Sequence, residues 1–223
     1  MNEKEVMEND VVSKKEKQND EPKGELVAVE RRYYVNQEFN DKLANDFCEW
    51  VDNVISFDEL YAEQYPEEKL LPLVITISSR GGSVDSLNQI LDALDDVKAP
   101  IITEVRGFAY SSAMFLACYG DIRIMGNHAR GLYHAILWGS DDNLQGHREN
   151  LLESERLMKN IDDMITSRTK LTQKELDKIK REKRDFFYDK KYALEKGIVN
   201  FEGNLDDVYN ELFPDEDEED GVE

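Results

Sequence analysis

The chain has 223 residues, room for one ordinary domain with short tails, and 40% of them are hydrophobic, enough for a core. Its 49 acids against 28 bases give a net charge of -21, which repels nucleic acid and anionic membrane at long range and excludes polyanion binding as a first reading. Two cysteines, Cys48 and Cys118, exclude a disulfide framework or a cysteine zinc site, and three histidines (His128, His134, His147) at irregular spacings argue against a metal centre.

Residues 1–25 hold eight acids and five lysines with no apolar period, and are read as a disordered polar arm. The start, MNEKEVMENDVV, lacks the basic and apolar runs of a signal peptide. No apolar stretch reaches the roughly 18–20 residues of a membrane span, so a cytoplasmic protein without membrane contact is expected. Residues 26–213 form the expected domain, and 214–223, with seven acids and no base, an acidic disordered tail.

Within the domain, Leu26 to Val35 reads as a strand. Asn40 can cap a helix whose apolar face is Leu43, Phe47, Trp50, Val51 and Val54. Residues 56–70 read as a loop rich in Glu and Tyr. Leu73 to Ile77 is a buried strand broken by Gly81 and Gly82, and a helix follows with Val84, Leu87, Ile90, Leu91 and Leu94 on one side. Ile101 to Val105 is a second strand broken at Gly107, and Ser111 to Tyr119 a short apolar helix. Ile122–Met125 and Leu132–Leu137 are further strands. A long helix runs from about Gln145 to Arg168. Thr172 and Glu175 have the spacing of a capping box, and Asp189–Lys196 is a last short helix stopped by Gly197. Alternating strands and helices argue an α/β fold with largely parallel pairing.

The chemistry falls at two glycine breaks after strands, where α/β folds place their sites. In Ser78-Ser79-Arg80-Gly81-Gly82-Ser83, adjacent glycines bare backbone N–H groups that can bind an oxyanion, though a plain strand-to-helix turn would read the same way. In Gly107-Phe108-Ala109-Tyr110-Ser111-Ser112, a serine at a helix N-terminus meets free N–H groups suited to developing negative charge. Either serine could instead be an ordinary N-cap, and the pair leaves the nucleophile ambiguous. A serine nucleophile needs a base. His134 lies in an apolar strand segment, whereas His128 and His147 stand in polar, turn-like contexts. Among 49 acids, residue pattern alone does not choose the group that orients the base. Asp185 stands out between a basic cluster and the aromatic run Phe186-Phe187-Tyr188. Cys118 and Cys48 read as packed thiols.

Gly-Gly-Ser-Val, then Gly-x-Ala-x-Ser, then a strand histidine, then Arg-Asp before an aromatic residue together resemble the ClpP family, the proteolytic subunits of Clp proteases. The resemblance covers about residues 30–205. It implies a ClpP/crotonase-like spiral of strand–helix units with a protruding long-helix handle. It implies Ser111 as nucleophile, His134 as general base and Asp185 as orienting carboxylate, with the backbone N–H groups of Gly82 and Ser112 as the oxyanion hole. It implies ATP-dependent serine endopeptidase action on unfolded proteins or peptides within a heptameric homo-oligomer, single or stacked as a double ring. An AAA+ unfoldase of the Clp type is the implied partner, and the hydrolysis itself needs no cofactor and no metal.

The sequence departs from the family's usual pattern at four places. Arg80 stands for Pro before the glycines and Ser112 for Met after the nucleophile. Ala135-Ile136, with Trp138 nearby, replaces Gln-Pro. Lys183 replaces an acid two residues before Asp185. Two other readings keep the fold: a catalytically inactive structural ring subunit, and a crotonase-like acyl-CoA enzyme that uses the same oxyanion geometry without a serine.

Overall fold

The computed structural model describes residues 29–137, 143–182 and 185–214. The arm over 1–25, the tail beyond Pro214, Trp138, Lys183 and Arg184 lie outside the described residues.

Strand β1 is Arg32–Val35; of the expected run from Leu26, residues 26–28 lie outside the described residues and 29–31 are not strand. Arg31 precedes it and instead donates to both carboxylate oxygens of Asp58, at 2.6 and 3.0 Å. Helix α1, Asp41–Gln64, starts as expected, with the Asn40 side chain accepting from the Leu43 N–H at 2.9 Å. It buries Leu43, Phe47, Val51 and Val54. It then runs through residues 56–64, where the sequence suggests a loop. Two interactions hold this extension: the Arg31–Asp58 ion pair, and the rings of Phe57, Tyr61 and Tyr65, packed four residues apart along the helix.

Strand β2 is Leu73–Ser79, and helix α2, Val84–Asp95, is capped by Ser83 and buries Leu87, Ile90 and Leu94. Strand β3, Ile101–Tyr110, does not end at Gly107. Gly107 takes a φ of 86°, and β3 changes partner around it. Residues Ile102–Val105 pair with β4, Ile122–Met125, and Phe108–Tyr110 pair with β5, Arg130–Tyr133. The glycine is a bend inside one strand rather than its terminus. Between β3 and β4 lies helix α3, Ser112–Tyr119, all eight residues of which are buried. A helix apolar on every side belongs at the centre of a core. Strand β5 stops before His134, so that histidine stands one residue past the strand rather than within it.

Helix α4, Leu144–Arg168, is the expected long helix. Helix α5, Gln173–Glu182, begins at the expected capping box, in which the Thr172 N–H donates to Glu175 Oε2 at 2.9 Å and the Glu175 N–H to Thr172 Oγ1 at 3.3 Å. Strand β6, Phe186–Asp189, was not expected, and helix α6, Lys190–Glu195, follows it. Helix α7, Leu205–Leu212, lies beyond the helix expected to be last and carries an Asn204–Asp207 capping box.

The strands form one sheet of order β1-β2-β3-β5-β6, with β4 also on β3, parallel except for the antiparallel β5–β6 pair. Alternation along β2 and β3 divides their side chains between two faces. Ile75, Ile77, Ile101 and Val105 join the main core with α1, α2 and α3, while Val74, Ile102 and Ile124 pack on Val208 of α7. The C-terminal ends of β1, β2, β3 and β5 open together into one cleft.

Candidate active site

Ser111 is the single residue between β3 and α3. Its φ of 54° and ψ of -127° make it the only non-glycine with positive φ among the described residues. An N-cap serine takes extended backbone and turns its hydroxyl onto the helix N–H groups. Ser111 does neither, and its side chain makes no capping hydrogen bond. Its backbone is fully used: the N–H donates to Leu132 O at 3.0 Å, and the carbonyl accepts from Met114 and Phe115 at 2.8 and 3.2 Å. The strained strand-to-helix turn therefore presents the Ser111 hydroxyl at the cleft.

Ser112 lies one residue inside α3 and is fully buried, and its hydroxyl donates to Gly82 O at 2.9 Å. That bond ties the glycine turn to the serine turn. Neither the Ser112 N–H, at the start of α3, nor the Gly82 N–H has a protein acceptor among the described residues. The glycines are required by contact. A Cβ on Gly81, whose φ is 89°, would sit 2.5 Å from Tyr110 O and 2.8 Å from Ser111 Cβ. A Cβ on Gly82, whose φ is 145°, would sit 2.4 Å from Phe39 O. The pair is wedged between the β1–α1 loop and the Ser111 turn. Phe39 N–H donates to Gly81 O and Ser83 N–H to Phe39 O, both at 2.9 Å. Ser79, nearly fully buried, fastens the same loop by donating to Gln37 O and accepting from Gly81 N–H.

His134 is half-buried and lines the cleft with Ser111. Its Nδ1 lies 2.6 Å from Ala135 O. Nδ1 can only donate to that carbonyl, so in the neutral imidazole the free lone pair falls on Nε2, the tautomer a general base needs. Asp185 is exposed and not on the cleft wall. Among the described residues no hydrogen bond joins Ser111 to His134 or His134 to Asp185. The antiparallel register nonetheless relates them. Tyr133 pairs with Phe186 as the last pair of the ladder, and His134 and Asp185 are the residues that follow the one and precede the other. His128 and His147 do not line the cleft.

The cleft, about 580 Å³, is walled on one side by Asn36, Gln37 and Glu38 and on the other by Ile136 and Leu137. Arg80 and Phe108 complete the wall, with the guanidinium 5.4 Å from the ring centroid. The sequence reading missed the Asn36–Glu38 wall, whose only signal is a polar triplet between a strand and a capped helix. It also missed an anchor behind His134. Tyr133 donates to Asp162 Oδ1 at 2.8 Å, and Gln173 and Lys180 hold Asp162 Oδ2. Burial and the adjacent Asp162 carboxylate push the Tyr133 hydroxyl far above its ordinary pKa. Cys118 is buried and its thiol pushed up to about 12, and Cys48 is half-buried. Among the described residues no group of three or more His, Cys, Asp or Glu could hold a metal ion, and no helix is long and apolar enough to cross a membrane.

A family model described as Clp protease matches residues 15–201. The ATP-dependent Clp protease proteolytic subunit 2 of Prochlorococcus marinus (strain MIT 9312) is 27% identical over 177 residues, which cover 78% of this chain and 81% of that protein. Subunit 3 of Synechococcus sp. (strain CC9605) is 29% identical over 182 residues, with 78% and 82% covered. A mutant ClpP1 from Listeria monocytogenes has a TM-score of 0.66 at 21% identity, covering 79% of this chain and 93% of that one. That likeness bears out the expected α/β fold of ClpP type.

Proposed function

The chain belongs to the Clp protease family, and from that premise we propose that it is a ClpP-type serine endopeptidase that cleaves unfolded proteins or peptides. The observation that carries the reading is the positive φ of Ser111, which keeps its hydroxyl off the helix end and in a cleft shared with His134. Ser111 Oγ attacks the scissile carbonyl, and His134 Nε2 accepts the proton and returns it to the leaving amine. The N–H groups of Gly82 and Ser112 receive the oxyanion. Asp185 takes over from Ala135 O as the partner of Nδ1 when the register across from His134 tightens.

The assembly is a heptameric ring, single or double, that encloses these sites in a chamber, with a Clp-type AAA+ unfoldase as partner. Helix α4 supports self-association by exposing Leu144, Leu151 and Leu152 along one side. The acyl-CoA reading is not carried forward, because the family is that of Clp proteases. The ring-subunit reading keeps one observation: His134 faces Ala135 O rather than Asp185.

Labelling with a fluorophosphonate, read by intact mass and peptide mapping beside Ser111→Ala, tests nucleophile, base and oxyanion hole together. A stoichiometric adduct on Ser111, absent in the variant, is expected. A Ser111→Ala protein that still cleaves peptides at the wild-type rate would overturn the reading. Labelling only after a Clp-type unfoldase is added would assign the resting site to the unaligned state.

A further inference from the structure

The cleft above Ser111 has one arginine, Arg80, and one carboxylate, Glu38, among its described lining residues. Arg31, Arg32, Arg106 and Arg156 each pair with an acid, Arg123 and Arg168 bind backbone carbonyls, and Arg130, Arg148 and Arg181 pair with no acid among the described residues, but of the described arginines only Arg80 lines the cleft. Arg80 has no carboxylate within 4.0 Å among the described residues, in a chain that holds 49 acids. It is exposed, and its guanidinium stands over the Phe108 ring. A cation held over a ring face is attracted by the ring quadrupole and spends none of its N–H donors there, so they can meet a carboxylate. Arg80 precedes the oxyanion glycine Gly82 by two residues. Two Cα steps span at most roughly 7.6 Å, the length of about two residues of extended peptide.

Resting on the serine-peptidase reading, we propose that Arg80 is a specificity residue selecting peptides with an Asp or Glu side chain within two residues of the scissile bond. The net charge of -21 opposes acidic substrates at long range, but that repulsion is screened beyond about 8 Å at physiological salt. Arg80 acts at contact distance inside that range. Glu38, which also lines the cleft, repels an acid placed beside it. The preference is therefore confined to the Arg80 side and does not extend to acidic chains in general.

The test uses peptide pairs that differ only by Asp against Asn, moved one position at a time past the cleaved bond. The full-length chain is expected to favour Asp about fivefold in kcat/KM at one position, the strength of a partly exposed ion pair. Arg80→Gln should bring that ratio to about one, Arg80→Glu should take it below one, and Arg80→Lys should keep part of it. The same peptides are titrated onto Ser111→Ala protein by fluorescence anisotropy, which reads the preference without turnover. A ratio of one at every position in the wild type, or a preference that survives Arg80→Gln, would overturn the inference. Cleavage without preference removes the role of Arg80 and leaves the peptidase reading standing. An Arg80-dependent binding preference without cleavage, even after a Clp-type unfoldase is added, removes the peptidase reading and supports the role of Arg80.

Discussion

Ser111 holds a conformation that costs a residue with a Cβ about 1–3 kcal/mol. Such strain persists only where the surroundings over-determine it, and here both flanks do so. The Leu132 carbonyl fixes the Ser111 N–H, and Gly81 packs under its Cβ. Replacing Ser111 with alanine removes the hydroxyl but keeps the strain. Replacing it with glycine removes both, at an entropic cost of about 0.5–1 kcal/mol. Ser111→Gly is therefore expected to be more stable than Ser111→Ala by about 1 kcal/mol, or about 2–4 °C in Tm by calorimetry. A Ser111→Gly protein melting about 1–4 °C below Ser111→Ala, the entropic cost of glycine alone, would show that the turn is unstrained. The neighbouring Ser112 illustrates what type and spacing alone conceal. Before the family resemblance, nothing separated the two serines as nucleophile. The backbone separates them, because one hydroxyl faces the cleft and the other is spent on the Gly82 carbonyl.

Elements with local signals were legible in the sequence, and those fixed by distant contacts were not. Asn40 and Thr172 announced two helix starts because a cap acts within one turn. The last third of α1 was hidden because its anchor, Arg31, is 27 residues from Asp58. Gly107 reads locally as a stop, yet exchange of partners from β4 to β5 carries β3 through it. Strand β6 has no period of its own and exists through its pairing with β5, whose last pair, Tyr133 and Phe186, adjoins His134 and Asp185. The site residues were thus nameable by resemblance, while the geometry relating them was not. The capping box of α5 gives a test at this scale. The Lys196 ammonium, followed by the Thr172 N–H and hydroxyl, holds the Glu175 carboxyl down at about 2. A carboxyl depressed in the folded state stabilises the fold above its unfolded pKa of about 4.3, and the gain is lost as pH falls toward the folded value. Glu175→Gln should cost less than about 1 kcal/mol near neutral pH, because the pair is partly exposed. By urea unfolding, the gap to wild type should shrink from about pH 5 downward and close near pH 2. A gap independent of pH would assign the effect to side-chain packing instead.

At the scale of the whole molecule, apolar contact and charge oppose each other. Helix α4 exposes Leu144, Leu151 and Leu152, a surface suited to burial against another copy. Each copy also brings a net charge of -21, and the proposed heptameric ring would concentrate that charge seven times over. Repulsion between exposed charges reaches about 30 Å in 0.01 M salt and about 8 Å near 0.15 M, whereas burial of leucine is not weakened by salt. Assembly should therefore be salt-dependent in the direction opposite to that of a complex held by ion pairs: dispersed at low ionic strength and complete near physiological salt. Native mass spectrometry or analytical ultracentrifugation across that range would follow the 25.9 kDa chain into the proposed ring. Residues 214–223 supply seven of the acids in a short stretch, so their deletion should move the assembly midpoint to lower salt without altering the apolar surface. An unchanged midpoint would mean that the terminal charges lie far from one another in the assembly and that repulsion arises within the folded domain. Dissociation on adding salt would show instead that the copies are joined by opposite charges, and α4 would lose its place in the contact.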